Sequence, residues 1–151
     1  NLGDSQQILR EAVARLAGLG PVQVSRLYQS QPMGPQDQPN YLNAVVQLDT
    51  ALEPLALLDQ LQQFEQEAGR VRLRRWCERT LDLDLLIYGQ QQIQNERLTV
   101  PHIGILERDF VIIPLLDIDT HLQLNGHPLK DLELVQQASL TVIADQSWAN
   151  A

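Results

Sequence analysis

Residues 81–88, LDLDLLIY, alternate with a two-residue period: Leu81, Leu83, Leu85 and Ile87 fall on one side, Asp82 and Asp84 on the other. Such a segment reads as a strand with one apolar, buried face and one acidic face. A strand of that kind needs a layer of helix to cover it, and the chain supplies two. Ile8, Leu9, Ala12, Val13 and Leu16 share one face of a helix over 5–18, with Asp4 or Ser5 to cap it and Gly18 and Gly20 to end it. A second helix opens at Pro54, runs to about Ala68 and stops at Gly69, proline first and glycine last. Between the helices, 22–29 reads as a strand with Val22, Val24 and Tyr28 of one parity. In 41–49, Leu42, Ala44, Val46 and Leu48 take one face, and Tyr41 and Asn43 the other. Residues 30–40, SQPMGPQDQPN, hold three prolines and a glycine and form a stiffened loop, neither helix nor central strand.

The order is therefore α-β-β-α-β. A polar hairpin over 90–100 follows, then a helix-leaning 104–116 with Pro114 as a bend or start, a turn at Asn125–Gly126, a short helix over 129–137 and a last strand, LTVIA. This is an α+β pattern, a sheet with helices gathered on one face. One more strand in front would make it βαββαβ, the ferredoxin-like split βαβ. At 151 residues and 44% hydrophobic, with no repeat or linker, the chain reads as one domain, 1–151.

A net charge of −8 argues against non-specific binding to nucleic acid or to an anionic membrane, both of which need a positive field. No apolar run approaches the roughly 18–20 residues that span a bilayer, and no stretch reads as a signal peptide. Cys77 is the only cysteine, so the expected compartment is a reducing cytoplasm.

Against that acidic background, five of the eleven basic residues, Arg70, Arg72, Arg74, Arg75 and Arg79, crowd into ten positions just ahead of the aspartates. Asp82 and Asp84 stand about 7 Å apart on one strand face and repel unless a cation lies between them. Mg²⁺ suits them, because it takes carboxylate oxygens and leaves positions for phosphate. Arginine forks bind phosphate oxygens in pairs, so the cluster and the aspartates describe a polyphosphate–Mg²⁺ site in two halves. A solvated charged loop beside an acidic strand face is the plainer alternative. Trp76 can pack on the core or close over a ring. No Walker A or G-x-G-x-x-G sequence is present. Tyr41 and Asn43 suit a flat heterocycle, stacked on the ring and read at its edge by the amide, with an exposed polar strand face as the plainer alternative. Cys77 lacks the partners for thiol or zinc chemistry.

Three stretches, PMGPQDQPNYLNAV, GRVR…RW…RTLDLDLL and ERLTVPH, together resemble the 6-hydroxymethyl-7,8-dihydropterin pyrophosphokinases of folate biosynthesis. The resemblance runs from NLGDS at the start to the 108–118 region, and the C-terminal segment carries no clear motif. It implies transfer of a pyrophosphoryl group from ATP to the pterin's hydroxymethyl oxygen, with AMP released. Arg70, Arg79, Asp82 and Asp84 would form the catalytic set, the two aspartates holding two Mg²⁺ ions with support from Glu65. Arg72 and Arg108 would bind phosphates, and Trp76 would close over the substrates. Tyr41 and Phe110 would sandwich the pterin, its edge read by Asn43 and by the backbone at Ser30, Gln31 and Met33. Gln62, Leu85, Arg97, Thr99 and His102 would contact ATP. The chain departs from the family pattern at Cys77, where a small residue is usual, in an arginine loop shortened by a residue, and at Ile103 in place of an aromatic. Relatives also open with a strand ending in Gly-Ser ahead of Asn-Leu-Gly, so the expectation is that the polypeptide extends upstream. A monomer is expected. A non-catalytic module sensing a nucleotide, and a Mg²⁺ nucleotidyltransferase that releases pyrophosphate, are the alternatives.

Overall fold

Helix α1 (Leu2–Ala17) begins earlier than the capping signals suggest, so Asp4 and Ser5 lie in its first turn rather than before it. It ends where Gly18 donates to the Arg15 carbonyl and Leu19 to that of Leu16. The computed structural model describes residues 2–30, 41–71, 81–89, 91–102, 105, 108–124, 126–132, 135 and 140–150. The apolar stripe of α1 is buried at Ile8, Ala12, Val13 and Leu16. Beyond it, Gly20 has φ +154°, and a Cβ there would overlap the Asp49 carbonyl oxygen. This close pass lets the Asp49 N–H reach the Pro21 carbonyl at 2.9 Å.

Strand β1 (Val22–Val24) pairs antiparallel with β4 (Val46–Leu48), and β2 (Leu27–Ser30) with β3 (Tyr41–Asn43), so 22–30 and 41–48 form one interrupted hairpin. Val24 faces Val46 and Tyr28 faces Asn43, which leaves one residue too many on the first strand. That residue is a bulge at Ser25–Arg26, and it corrects the parity expected from sequence. Leu27 joins Val22 and Val24 in one apolar cluster, while Tyr28 turns to the other face and bonds Asp117. An inserted residue exchanges the faces of everything after it. Ser25, fully buried, closes the gap. Its N–H donates to the Val45 carbonyl at 2.9 Å, and its Oγ accepts the Val45 N–H at 2.9 Å and donates to the Arg26 carbonyl at 2.7 Å. Its own carbonyl accepts the Trp148 indole N–H at 2.8 Å.

Strand β9 (Thr141–Ala144) completes the order β3-β2-β9, all antiparallel. Trp148, in a 3-10 turn at Gln146–Asn150, is buried against Val13 and Leu27. Helix α2 (Pro54–Val71) starts at the expected proline but runs through Gly69. A glycine costs a helix interior only about 1 kcal/mol, less than the packing of Leu57, Leu61 and Phe64 on Leu16 of α1 supplies. Helix α3 (Asp109–Ile118) keeps Pro114 inside it and packs on β2 and β3. Leu42, Ala44 and Val46 face Val13, whereas Val45 faces Ile105 and Ile112. The sheet is therefore covered on both faces, by α1 and α2 on one and by α3 on the other.

Residues 81–88 have no ladder partner among the described residues, which corrects the strand expected there. The alternation survives all the same: Leu81 is buried, Leu83 and Leu85 are partly buried, and Asp82 and Asp84 are exposed. Leu81 packs on Ile8 and Ala12, and Leu83 and Leu85 pack on the Leu16–Phe64 cluster. Among the described residues, burial against the helices sets which way Leu81, Leu83 and Leu85 face. Two short hairpins follow the expected turns, β5 (Ile93–Gln94) with β6 (Thr99–Val100), and β7 (Gln123–Leu124) with β8 (His127–Pro128), the latter turning at Gly126 with φ +81°. Of 129–137, Leu129–Asp131 is a 3-10 turn, and most of the rest lies outside the described residues. The whole is a mixed α+β fold with antiparallel sheets. No helix among the described residues is long and apolar enough to cross a membrane.

Candidate active site

Beside the acidic segment, α2 presents Asp59, Gln62 and Glu65 on successive turns, and the β5–β6 hairpin presents Arg97 and Thr99. Glu65 reaches across: its Oε2 accepts the backbone N–H of Leu83 at 2.6 Å. The residue so held lies between Asp82 and Asp84, so α2 grips the backbone at the centre of the aspartate pair. The Leu86 carbonyl accepts the His102 N–H at 2.7 Å, which draws the segment after β6 alongside. His102 Nε2 then stands 4.0 Å from Asp84 Oδ2, too far for a hydrogen bond and near enough for attraction when the imidazole is protonated.

Arg97 is presented by a local turn. Asn95 Oδ1 accepts the N–H groups of Arg97 at 2.9 Å and of Leu98 at 3.0 Å, the side chain standing in for a backbone turn. The guanidinium donates to Asp59 Oδ1 at 2.6 Å and to Gln62 Oε1 at 3.2 Å. Between these groups lies a cleft of about 220 Å³, with polar groups from Asp84, Arg97, Thr99 and His102 over an apolar floor of Leu58, Leu83, Leu85 and Leu98. A carboxylate, a fixed cation and a greasy floor in one cleft suit a ligand with a flat apolar part and an anionic part.

Among the described residues no group of three or more His, Cys, Asp or Glu side chains could enclose a metal ion. The donor set that is present still fits Mg²⁺, which typically takes one or two carboxylates and fills its shell with phosphate oxygens and water. Asp82 and Asp84 supply two exposed carboxylates on one side of the segment.

The cleft thus gathers Asp84, Leu85, Arg97, Thr99 and His102, with Gln62 and Glu65 attached through Arg97 and Leu83. Asn43, Arg108 and Phe110 do not line it. They lie on β3 and at the start of α3, two elements in contact, where the Arg108 guanidinium carbon stands 5.9 Å from the Phe110 ring centroid. Ser30 pairs with Tyr41 in the β2–β3 ladder, and Arg70 lies in the last turn of α2. Gln31, Met33, Arg72, Trp76 and Arg79 lie outside the described residues. Sequence reasoning missed Asp59, the partner of Arg97. Its one legible signal was its spacing from Gln62, which puts both on one helix face.

Residues 1–120 match the family model described as 7,8-dihydro-6-hydroxymethylpterin-pyrophosphokinase (HPPK). The chain is 54% identical over 127 residues to the 2-amino-4-hydroxy-6-hydroxymethyldihydropteridine pyrophosphokinase of Haemophilus influenzae, across 84% of this chain and 79% of that protein. The protein of the same name from Pseudomonas aeruginosa is 49% identical over 127 residues, 83% of this chain and 78% of its own length. The folic acid synthesis protein fol1 of Pneumocystis carinii is 40% identical over 136 residues, which are 89% of this chain and 18% of that longer protein.

Proposed function

The chain belongs to the 7,8-dihydro-6-hydroxymethylpterin-pyrophosphokinase family, and on that premise we propose how its residues act. It is a transferase that moves a pyrophosphoryl group onto the hydroxymethyl group of 6-hydroxymethyl-7,8-dihydropterin, a step of folate biosynthesis. ATP is the donor and AMP the second product. The observation that supports the reading is the joining of the aspartate segment to α2 and to the segment after the Arg97 hairpin, with the Asp84 carboxylate lining a cleft of mixed polarity.

The substrate hydroxyl oxygen attacks the β-phosphorus in line with the departing AMP. Charge spreads over the phosphoryl oxygens, so positioning and electrostatics supply most of the rate. Asp82 and Asp84 would hold two Mg²⁺ ions, which when bound neutralise phosphate charge and make a coordinated hydroxyl more acidic. Glu65 keeps the backbone between the aspartates in place. Gln62, Arg97, Thr99 and His102 bind the nucleotide, with Leu85 in the apolar floor beneath it. Arg70, Arg72, Arg79 and Arg108 offset the remaining phosphate charge, and Trp76 closes over the pair of substrates to exclude water. Tyr41 and Phe110 stack on the pterin, with Asn43 and the backbone at Ser30, Gln31 and Met33 at its edge. The fold in this reading is related to the ferredoxin-like βαββαβ sandwich, with the extended 81–88 segment in the place of its last strand and with C-terminal additions, one domain over 1–151, working as a cytoplasmic monomer.

The deciding experiment measures AMP from ATP and Mg²⁺ with and without 6-hydroxymethyl-7,8-dihydropterin. AMP that depends on the pterin is the expected result. Pyrophosphate in its place would mean nucleotidyl transfer, and neither product from folded protein would mean a binding module.

A further inference from the structure

The Asp117 carboxylate, 13% exposed near the C-terminal end of α3, accepts hydrogen bonds from three groups of β2 and its bulge. The Tyr28 hydroxyl donates to Oδ2 at 2.5 Å, and the Arg26 backbone N–H donates to Oδ2 at 3.1 Å. The Arg26 guanidinium adds Nη2 to Oδ1 at 3.1 Å and Nε to both oxygens at 3.3 Å. A carboxylate at a helix C-terminus faces the negative end of the helix dipole, so nothing in α3 itself favours it. Among the described residues its compensation comes from Tyr28 of β2 and from the bulge, which turns the Arg26 N–H toward α3 and sends Tyr28 to the face that α3 covers. No group of this cluster takes part in the reaction as read above.

Two relationships connect the cluster to the pterin residues. Phe110 and Asp117 are seven residues apart in α3, two turns, and so share one face of the helix. Tyr28 is the register partner of Asn43, and residues directly opposite in an antiparallel pair share a sheet face with Cβ atoms about 4.5–5.5 Å apart. One bond thus ties the neighbour of Asn43 to the helix that carries Phe110. The apolar contacts of Ile112 and Leu115 also hold α3 to the sheet, but burial is non-directional and tolerates sliding. A buried, charge-assisted hydrogen bond fixes a distance and a register.

We propose that Tyr28 and Asp117 are positioning residues for the pterin site, their bond setting the height of α3, and so of Phe110, over β3 at Asn43. The inference rests on the reading of Asn43 and Phe110 as pterin contacts. It is tested in the full chain with Tyr28→Phe, which keeps the ring's volume, and Asp117→Asn, alongside Asn43→Ala and Phe110→Ala. The KM for pterin rises roughly three- to tenfold in Tyr28→Phe and Asp117→Asn, while the KM for ATP stays within about twofold. If Asp117→Asn does not fold, Tyr28→Phe decides alone. Equal rises in both KM values overturn the proposal, because they mark general loosening. A pterin KM unmoved by Tyr28→Phe but raised by Asn43→Ala and Phe110→Ala overturns the latch alone. A pterin KM unmoved by Asn43→Ala and Phe110→Ala overturns the pterin-site reading and the latch with it.

Discussion

The carboxylate of Glu65 accepts the backbone N–H of Leu83 at 2.6 Å, and Leu83 is the residue between the two aspartates. In a ladder that N–H would bond a neighbouring strand; here a helix side chain takes it. Because a hydrogen bond to a charged acceptor contributes about 1.5–3 kcal/mol, Glu65→Ala lowers kcat/KM roughly ten- to hundredfold. Glu65→Gln keeps an acceptor oxygen and most of the activity. Steady-state AMP production separates the two, and a glutamine variant as poor as alanine would mean that the charge matters and the bond does not.

In the proposed reading Asp84 holds a cation against phosphate, and removing an electrostatic group of that kind costs a transition state about 3–4 kcal/mol. Asp84→Ala therefore loses two to three orders of magnitude in kcat, by roughly that conversion. Chelation of divalent ions abolishes AMP formation in the wild type and Mg²⁺ restores it, with circular dichroism unchanged throughout. Undiminished turnover in Asp84→Ala would remove the metal assignment.

Arg97 is about half exposed, as is its partner Asp59, and exposed pairs contribute little to stability. Arg97→Ala leaves the unfolding free energy within about 0.5 kcal/mol and raises the KM for ATP roughly tenfold, the scale of one charge-assisted bond. Urea melts and initial rates on one preparation check both halves. A large fall in stability would make Arg97 a structural residue.

The Tyr28 hydroxyl is pushed up to about 12, by burial first and then by its bond to the Asp117 carboxylate. An unfolded tyrosine loses its proton near about pH 10. Between those values the native state holds the proton that the unfolded state has lost, so stability falls as pH rises. Tyr28's contribution is complete below the lower value and gone above the higher one. Urea midpoints across this range should decline in the wild type and decline less in Tyr28→Phe.

Gly20 tolerates no side chain, since a Cβ would overlap the Asp49 carbonyl oxygen, which is backbone and cannot swing away. Gly20→Ala destabilises by about 2 kcal/mol or more. Gly126→Ala, at φ +81° with open space around it, costs less, because backbone strain alone acts there. Chemical denaturation of both variants tests the order.

Periodic features of the sequence were legible because burial enforces them. The stripes of α1 and α2, the Leu42–Leu48 alternation and the facing of Leu81 through Leu85 all follow from which side chains must leave water. Strand boundaries were not legible. Nothing in VQVSRLYQS marks the bulge, since Ser25 acts through its hydroxyl bond to Val45 and its carbonyl bond to Trp148, partners far along the chain. The helix running past Gly69 has a similar origin: tertiary packing outweighs a local preference worth about 1 kcal/mol. The cleft residues Asp84, Arg97, Thr99 and His102 belong to motifs, whereas Asp59 and Asp117, outside its lining, carry no motif and show only as the partners of Arg97, and of Arg26 and Tyr28.

The bulge at Ser25–Arg26 makes this hairpin sensitive to number as well as to letter. Three residues between Val24 and Tyr28 stand against two between Asn43 and Val46, so deleting one of the three would equalise the counts and leave Tyr28 opposite Asn43 in an unbroken ladder. What would go is the detour itself: the Ser25 hydroxyl that receives the Val45 N–H, or the Arg26 groups that reach Asp117. The extra residue therefore serves anchorage and not register, and a shortened hairpin would keep the phenol on α3 while giving up part of the grip around it.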